Sequence, residues 1–546
     1  EQFGEDAYSA GYRVYTTLDG KRQNAASSAL RDGLLAYDRR HGYRGVARHF
    51  ELQPDVSVDT LEDLLKGTKT VGGLLAAIVV EVEGQSARIY LAGEGYAELD
   101  WEGISWARSY VSGNQQGPEL KSADQVMQRG DLIRVEVLPE GRWRLAQVPI
   151  VSGALVSIHP QDGALQALAG GFDFYHSKFN RATQAQRQPG SSFKPFVYSA
   201  ALDKGYTVAS LFNDAPVVFD DPSLETAWRP ENYSGKFYGP TRMREALIHS
   251  RNLVSIRLLR AVGAGYATRY VQRFGFRPAQ IPGNLSLALG SGTATPLEMA
   301  RAYSVFANGG FYTEPYFIRE VHDAQGQVIF RVNPAIACPE CEAEKPADRE
   351  PEDIPGARAG DVTEEVTEEP SIMEVAEPEP VYAERVVDAT NVYLMTSMMQ
   401  DVVRRGTGRR AMSLGRNDLA GKTGTTNDQR VAWFCGFNAK LVTTVWVGFD
   451  RVQPLGNGET GGRAALPIWV DYMGQALQGM SEAVLPQPRG LVTVRIDSKT
   501  GLRLPSGQAG GLFELFRPEN VPQRYSEPVE SQGAESDSDD AVEPLF

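Results

Sequence analysis

Three short motifs, in one order along the chain, narrow the choice of fold more than anything else here. Ser191-Ser192-Phe193-Lys194 comes first, Ser250-Arg251-Asn252 second and Lys422-Thr423-Gly424 third. The first opens a predicted helix after Gln188-Pro189-Gly190. Gly190 permits the tight turn, and Pro195 falls in the first helical turn, which has no intrahelical donors to lose. Residues three apart share a helical face, so the Lys194 amine reaches the Ser191 hydroxyl. A serine hydroxyl is a weak nucleophile without an adjacent base, and lysine serves as that base only when burial or a second cation lowers its pKa. Taken alone the pair reads as a serine-capped helix start, because Ser-x-x-Lys arises by chance about twice in a chain of this length.

The companions decide. Ser250-Arg251-Asn252 lies in residues 242–260, predicted helical throughout from the spacing of Leu247, Val254, Leu258 and Leu259. Lys422-Thr423-Gly424-Thr425-Thr426 precedes the strand-like run Val431-Ala432-Trp433-Phe434. Lys499-Thr500-Gly501 repeats the tripeptide, but its setting reads as a hairpin turn, so the site is assigned to the first copy.

The 546 residues suffice for two or three domains. The formal charge of −14 is unevenly spread: residues 340–384 hold 16 acids against 3 bases, and residues 519–546 hold 8 against 1. The rest of the chain is therefore mildly basic, a slight preference for an anionic polymer. The first acidic stretch, extended to residues 338–384, is Pro/Glu-rich and aperiodic and reads as a mobile insert; beyond about Glu519 the chain reads as disordered. No run of 18 apolar residues occurs, so no transmembrane helix is predicted. The chain opens at Glu1 without a signal-peptide pattern and is expected to be a fragment.

Residues 12–19 read as a strand and residues 23–39 as a helix. Roughly residues 45–149 read as a small β-domain, with hairpins turning at Glu83-Gly84-Gln85 and Pro139-Glu140-Gly141, a barrel or small sandwich. A third hairpin turns at Pro160-Gln161-Asp162. Thr295-Pro296-Leu297-Glu298 is a capping box rather than a catalytic motif. Residues 391–404 are expected helical, and residues 442–448 a strand. Three cysteines exclude a disulfide-built scaffold. Cys338 and Cys341 are half of a zinc site or a redox pair on spacing alone; with no second pair following, a local disulfide or free thiols are preferred, and Cys435 belongs to the core. His249 beside Ser250 is not promoted to a partner, since helical neighbours point about 100° apart.

The ordered set Ser-x-x-Lys, Ser-x-Asn and Lys-Thr-Gly is that of penicillin-binding proteins and serine β-lactamases. The chain resembles class A penicillin-binding proteins of Gram-negative bacteria, and also in Phe179-Asn180-Arg181-Ala182-Thr183, Asn232-Tyr233, Leu289-Gly290-Ser291-Gly292-Thr293, Ala307-Asn308-Gly309-Gly310, Trp433-Phe434 and Val445-Trp446-Val447-Gly448. The resemblance implies a mixed α/β fold: a β-lactamase-like transpeptidase domain with an antiparallel sheet packed by helices over residues 150–490, and a small OB-like barrel over residues 45–149, as in 1a-type members. Residues 1–44 would be a linker after a glycosyltransferase domain and membrane anchor left out here, and residues 491–546 a C-terminal extension.

It further implies D,D-transpeptidation of peptidoglycan stem peptides, with β-lactams as covalent inhibitors. Ser191 would be the nucleophile, Lys194 the base, and Lys422 the cation that keeps Lys194 neutral. Ser250 would relay a proton, and Asn252 would hold the substrate's peptide group. The backbone N–H groups of Ser191 and Thr425 would form an oxyanion hole. The Thr423 and Thr425 hydroxyls, with the Lys422 charge, would receive the substrate's terminal carboxylate; Gly424, leaving room for close backbone approach, and Thr426 would complete the substrate-binding set. No cofactor, metal or nucleic acid is expected. Outer-membrane activators or cell-wall enzymes are expected partners, and the periplasmic side of an inner membrane the location. A D,D-carboxypeptidase or β-lactamase uses the same motifs, and a non-catalytic penicillin sensor or scaffold is the alternative of another class.

Overall fold

The computed structural model describes residues 3–218, 228–344 and 379–526. The first third forms an antiparallel sheet of Arg48–His49 (β1), Leu75–Glu83 (β2), Ser86–Leu91 (β3), Gly95–Leu99 (β4), Asp131–Val137 (β5) and Trp143–Ala146 (β6). The order is β1-β5-β2-β3-β4, with β6 on β5. Period-two alternation gives the sheet two apolar faces. Ile78, Tyr90 and Leu132 pack on Leu61 and Leu65 of the helix Val58–Leu65, and Ala77, Val79, Ile89 and Val135 pack with Leu99 and Leu145 on the other side. The hairpins at residues 83–85 and 139–141 fall where the turn residues place them.

A second antiparallel sheet carries the site. Ser152–Ile158 (β7) and Leu165–Ala169 (β8) form the third predicted hairpin, joined by Ala420–Thr425 (β9), Val431–Phe437 (β10) and Val442–Gly448 (β11). The order is β8-β7-β11-β10-β9, so β9, with the Lys-Thr-Gly motif, lies at an edge. β10 and β11 are buried at every position because helices cover both faces, which is why they read as continuous apolar runs rather than alternating ones. The covering helices are Gly20–His41 (α1), Lys194–Asp203 (α2), Met243–Ile248 (α3), Asn252–Val262 (α4), Pro296–Ala307 (α5), Ala389–Arg405 (α6) and Leu466–Ala476 (α7). α1 and α7 pack on one face through Leu30, Leu34, Ile468 and Trp469. The other face meets α2, α4, α5 and α6 through Phe196, Leu258, Tyr303 and Met398. α5 begins at the predicted capping box: Thr295 Oγ1 accepts from the Glu298 N–H at 3.1 Å, and Glu298 Oε2 accepts from the Thr295 N–H at 2.8 Å.

One expectation fails where it matters most. Residues 242–260 are not one helix: α3 ends at Ile248 and α4 begins at Asn252, with Ser250 at φ +55° between them. A non-glycine residue in this left-handed region is uncommon and is held there by tertiary contacts. Here the Asn252 N–H donates to the Asn232 side chain and the Ser250 carbonyl accepts from Lys194.

At the expected acidic insert, Cys338 and Cys341 form a disulfide, and Val381–Tyr382 pairs in parallel with Ala335–Ile336; residues 345–378 lie outside the described residues. Beyond Glu519, where disorder was expected, the chain stays in place as far as residue 526, because Arg503 bridges to Tyr525 and its carbonyl accepts from the Ser526 N–H; residues 527–546 are outside the description. Arg13–Thr16 is a strand, paired with Ile318–His322. Among the described residues no helix is long and apolar enough to cross a membrane, and no group of three or more His, Cys, Asp or Glu side chains is placed to hold a metal ion.

Candidate active site

Ser191 sits in the 3-10 turn Gly190–Phe193 that leads into α2. Two backbone crossings fix this turn. Gly190 has φ +55°, and a Cβ there would lie 2.7 Å from the Thr425 carbonyl oxygen; Gly290 has φ +70°, and its Cβ would lie 2.0 Å from the Gly190 carbonyl oxygen. No side chain fits at either place. The Tyr303 hydroxyl donates to the Ser192 carbonyl at 2.6 Å, and Trp433 Nε1 donates to the Gln188 carbonyl at 2.9 Å, so both flanks of the turn are tied down.

Beneath Ser191 lie two fully buried lysines. Lys194 Nζ donates to the Ser250 carbonyl at 2.8 Å and to Asn252 Oδ1 at 2.8 Å, with Ser250 Oγ at 3.3 Å. Lys422 Nζ, from β9, donates to Ser250 Oγ at 3.0 Å and to the Thr423 carbonyl at 3.0 Å. Burial pushes the Lys194 amine well below lysine's ordinary value and the charge of Lys422 pushes it further, against a smaller opposing pull from Asp214. Burial alone brings Lys422 to about 7. The serine of the second motif thus stands between two amines, both pushed below lysine's ordinary value by burial.

Asn252 is oriented by residues the motifs do not contain. Its backbone N–H donates to Asn232 Oδ1 at 2.8 Å and its side-chain amide to the Glu231 carbonyl at 2.8 Å. Asn232 Nδ2 in turn donates to the buried Asp214 at 2.8 and 3.0 Å. On β9 the Thr423 and Thr407 hydroxyls are 2.7 Å apart, Thr425 Oγ1 accepts from the Gly461 N–H at 3.0 Å, and Thr426 Oγ1 accepts from the Val431 N–H at 3.3 Å. A Cβ on Gly424 would lie 2.4 Å from the Pro189 carbonyl oxygen, so glycine lets β9 press against the Ser191 turn.

A cleft of about 820 Å³ opens over this floor, lined by Ser191, Ser250, Asn252, Thr423, Thr425 and Thr426. All nine site residues read from the sequence are brought to one place, Lys194 and Lys422 below the cleft and Gly424 behind it. Asn232, Thr407 and Gly461 were missed as site residues. Asn232-Tyr233 stood among the family-like segments and signalled the first, while nothing local marks the other two. His249 also lines the cleft but pairs with Glu245 at 3.7 Å.

Comparison with known proteins gives the family. Residues 153–473 match the family described as the penicillin binding protein transpeptidase domain. The chain belongs to that family. Residues 43–151 match the penicillin-binding protein OB-like domain. The chain is 46% identical over 534 residues to penicillin-binding protein 1A of Pseudomonas aeruginosa, covering 96% of itself and 64% of the relative. It is 42% identical over 536 residues to penicillin-binding protein 1A of Escherichia coli, covering 92% and 63%. It therefore spans a little under two thirds of these curated relatives. The crystal structure of penicillin-binding protein 1A from Haemophilus influenzae superposes with a TM-score of 0.83 at 36% identity, over 96% of this chain and 75% of that one.

Proposed function

We propose that this chain is a serine D,D-transpeptidase that cross-links peptidoglycan stem peptides through an acyl-enzyme on Ser191. The observation that carries the reading is the hydrogen bonding of Lys194. A neutral amine has two N–H donors and one lone pair. The two donors are taken at 2.8 Å by the Ser250 carbonyl and Asn252 Oδ1, which leaves the lone pair free to accept a hydroxyl proton. It takes that proton from Ser191, three residues away on the same turn, in the attack, and then passes it on by way of Ser250 Oγ at 3.3 Å. Ser191 then attacks the carbonyl between two D-alanines and the terminal D-alanine leaves. Its nitrogen takes a proton through Ser250, whose hydroxyl already accepts from Lys422. An amine of a second stem next takes the acyl group and frees Ser191. The backbone N–H groups of Ser191 and Thr425 stabilise the oxyanion, where losing one donor typically costs about 10²–10³ in rate. The Lys422 charge and the Thr423, Thr425 and Thr426 hydroxyls receive the terminal carboxylate.

A β-lactam offers the same carbonyl and carboxylate and would remain on Ser191. The reading extends to a longer parent protein that also polymerises glycan at the periplasmic face of an inner membrane, with activator proteins as partners; its support is that the relatives named penicillin-binding protein 1A are longer than the part this chain matches. Intact-mass spectrometry after benzylpenicillin, followed by peptide mapping, tests the assignment. One stable adduct on Ser191 is expected, lost in Ser191→Ala with the fold unchanged; an adduct that persists in the mutant overturns it, and rapid hydrolysis of the drug would point to a β-lactamase instead.

A further inference from the structure

Thr425 Oγ1 accepts a hydrogen bond from the Gly461 N–H at 3.0 Å, so its own proton is directed elsewhere, and the residue lines the cleft. Gly461 is wedged in place: a Cβ there would lie 2.3 Å from the Trp433 carbonyl oxygen and 2.4 Å from that of Gly424. The strap that presents it, residues 455–461, is anchored outside the transpeptidase sheet. The Tyr37 hydroxyl of α1 donates to the Leu455 carbonyl at 2.5 Å. A Cβ on Gly456 would lie 2.3 Å from the Gly113 carbonyl oxygen, and the Asn457 N–H donates to Asn114 Oδ1 at 2.5 Å, both contacts with a hairpin of the OB-like domain. Glu459 is only 1% exposed. It accepts from Arg40 Nε at 2.9 Å and Arg40 Nη2 at 2.8 Å, with Arg463 Nε 3.5 Å away. A carboxylate held by a two-bond arginine fork has its position and orientation geometrically fixed.

We propose that Glu459 is a positioning residue for substrate recognition: locked by Arg40, it holds the strap so that Gly461 aims the Thr425 hydroxyl at the ligand carboxylate. The site's selectivity is thereby tied to α1 and the OB-like domain. This rests on the transpeptidase reading above. The test is a double-mutant cycle on the second-order acylation rate with benzylpenicillin, using the whole chain. Glu459→Gln is expected to lower the rate about tenfold. On a Thr425→Val background the same substitution is expected to change it less than about twofold, because the hydroxyl it serves is gone. A general loosening of the fold would cost the same factor in both backgrounds, and that result, or no loss at all, overturns the proposal. Arg40→Gln leaves the carboxylate beside Arg463 and is expected to repeat the pattern; it carries the cycle if Glu459→Gln does not fold. Absence of any adduct on the unmutated chain would overturn the transpeptidase reading itself, whereas a normal adduct with additive losses overturns only the role of Glu459.

Discussion

The tripeptide Lys-Thr-Gly occurs twice, and the two copies have nothing else in common. At residues 422–424 it is the middle of an edge strand, with the lysine fully buried between a serine hydroxyl and a backbone carbonyl. At residues 499–501 it caps a turn: Asp497 Oδ1 accepts from the Lys499 N–H at 3.0 Å, the Thr500 N–H at 2.7 Å and the Thr500 hydroxyl at 2.9 Å, and Lys499 is exposed. The glycines differ as well. Gly424 is required by the close approach of the Ser191 turn alone, whereas Gly501 is required both by a φ of +68° and by the Ala209 carbonyl oxygen, which a Cβ there would meet at 2.5 Å. Chemistry comes to the first copy from burial, which depresses the amine, while the second, its lysine exposed, shapes a turn that packs on the Ala209 backbone.

That contrast breaks most sharply at the lysines. Lys422→Ala is expected to lower the acylation rate with benzylpenicillin by about 10²–10³, while Lys499→Ala leaves it unchanged; comparable losses would put the catalytic role of the first copy in doubt. The glycines separate rate from stability. Gly424→Ala forces β9 away from the turn and should remove most acylation from a folded protein. Gly501→Ala should instead cost about 1–3 kcal/mol in denaturant unfolding, with the rate intact.

pH sharpens the comparison further. In the unfolded chain the Lys422 amine stays charged up to lysine's ordinary value, whereas in the fold it loses its proton near 7. Between those values the unfolded state binds more protons, so stability rises with pH through that window. Lys422→Met should flatten the rise in urea midpoint measured from pH 7 to pH 10, and Lys499→Met should not. The smallest effect is expected for Asp497→Ala, about 1 kcal/mol of stability from a lost turn cap and no change in acylation.

What could be read from the sequence followed range. Strands with a local pattern and a marked turn, such as β2 and β3 around Gly84, were legible because their partners are neighbours in the chain. β10 and β11 were legible from β-branched and aromatic runs. That the nine candidate residues would lie together was legible because the proposed chemistry demands particular residue types in a set order. The break at Ser250 was not visible: the helical spacing on both sides is sound, and the Asn232 side chain and the Lys194 and Lys422 amines that hold the left-handed residue are distant in sequence. For the same reason Thr407 and Gly461 escaped notice, since a threonine that meets another hydroxyl across 16 residues and a glycine wedged between carbonyls carry no local signature.

The crossings at Gly190, Gly290 and Gly424 bring main chain against main chain around the nucleophile. Where main chain meets main chain at these glycines, there is no side chain for selection to trim or enlarge. A population exposed to a covalent inhibitor can therefore escape by exchanging residues that line the cleft, such as Thr426 or Asn427, but not by reshaping the turn that presents the serine. The inherited part of this enzyme is its backbone, and its adaptable part is the wall around it.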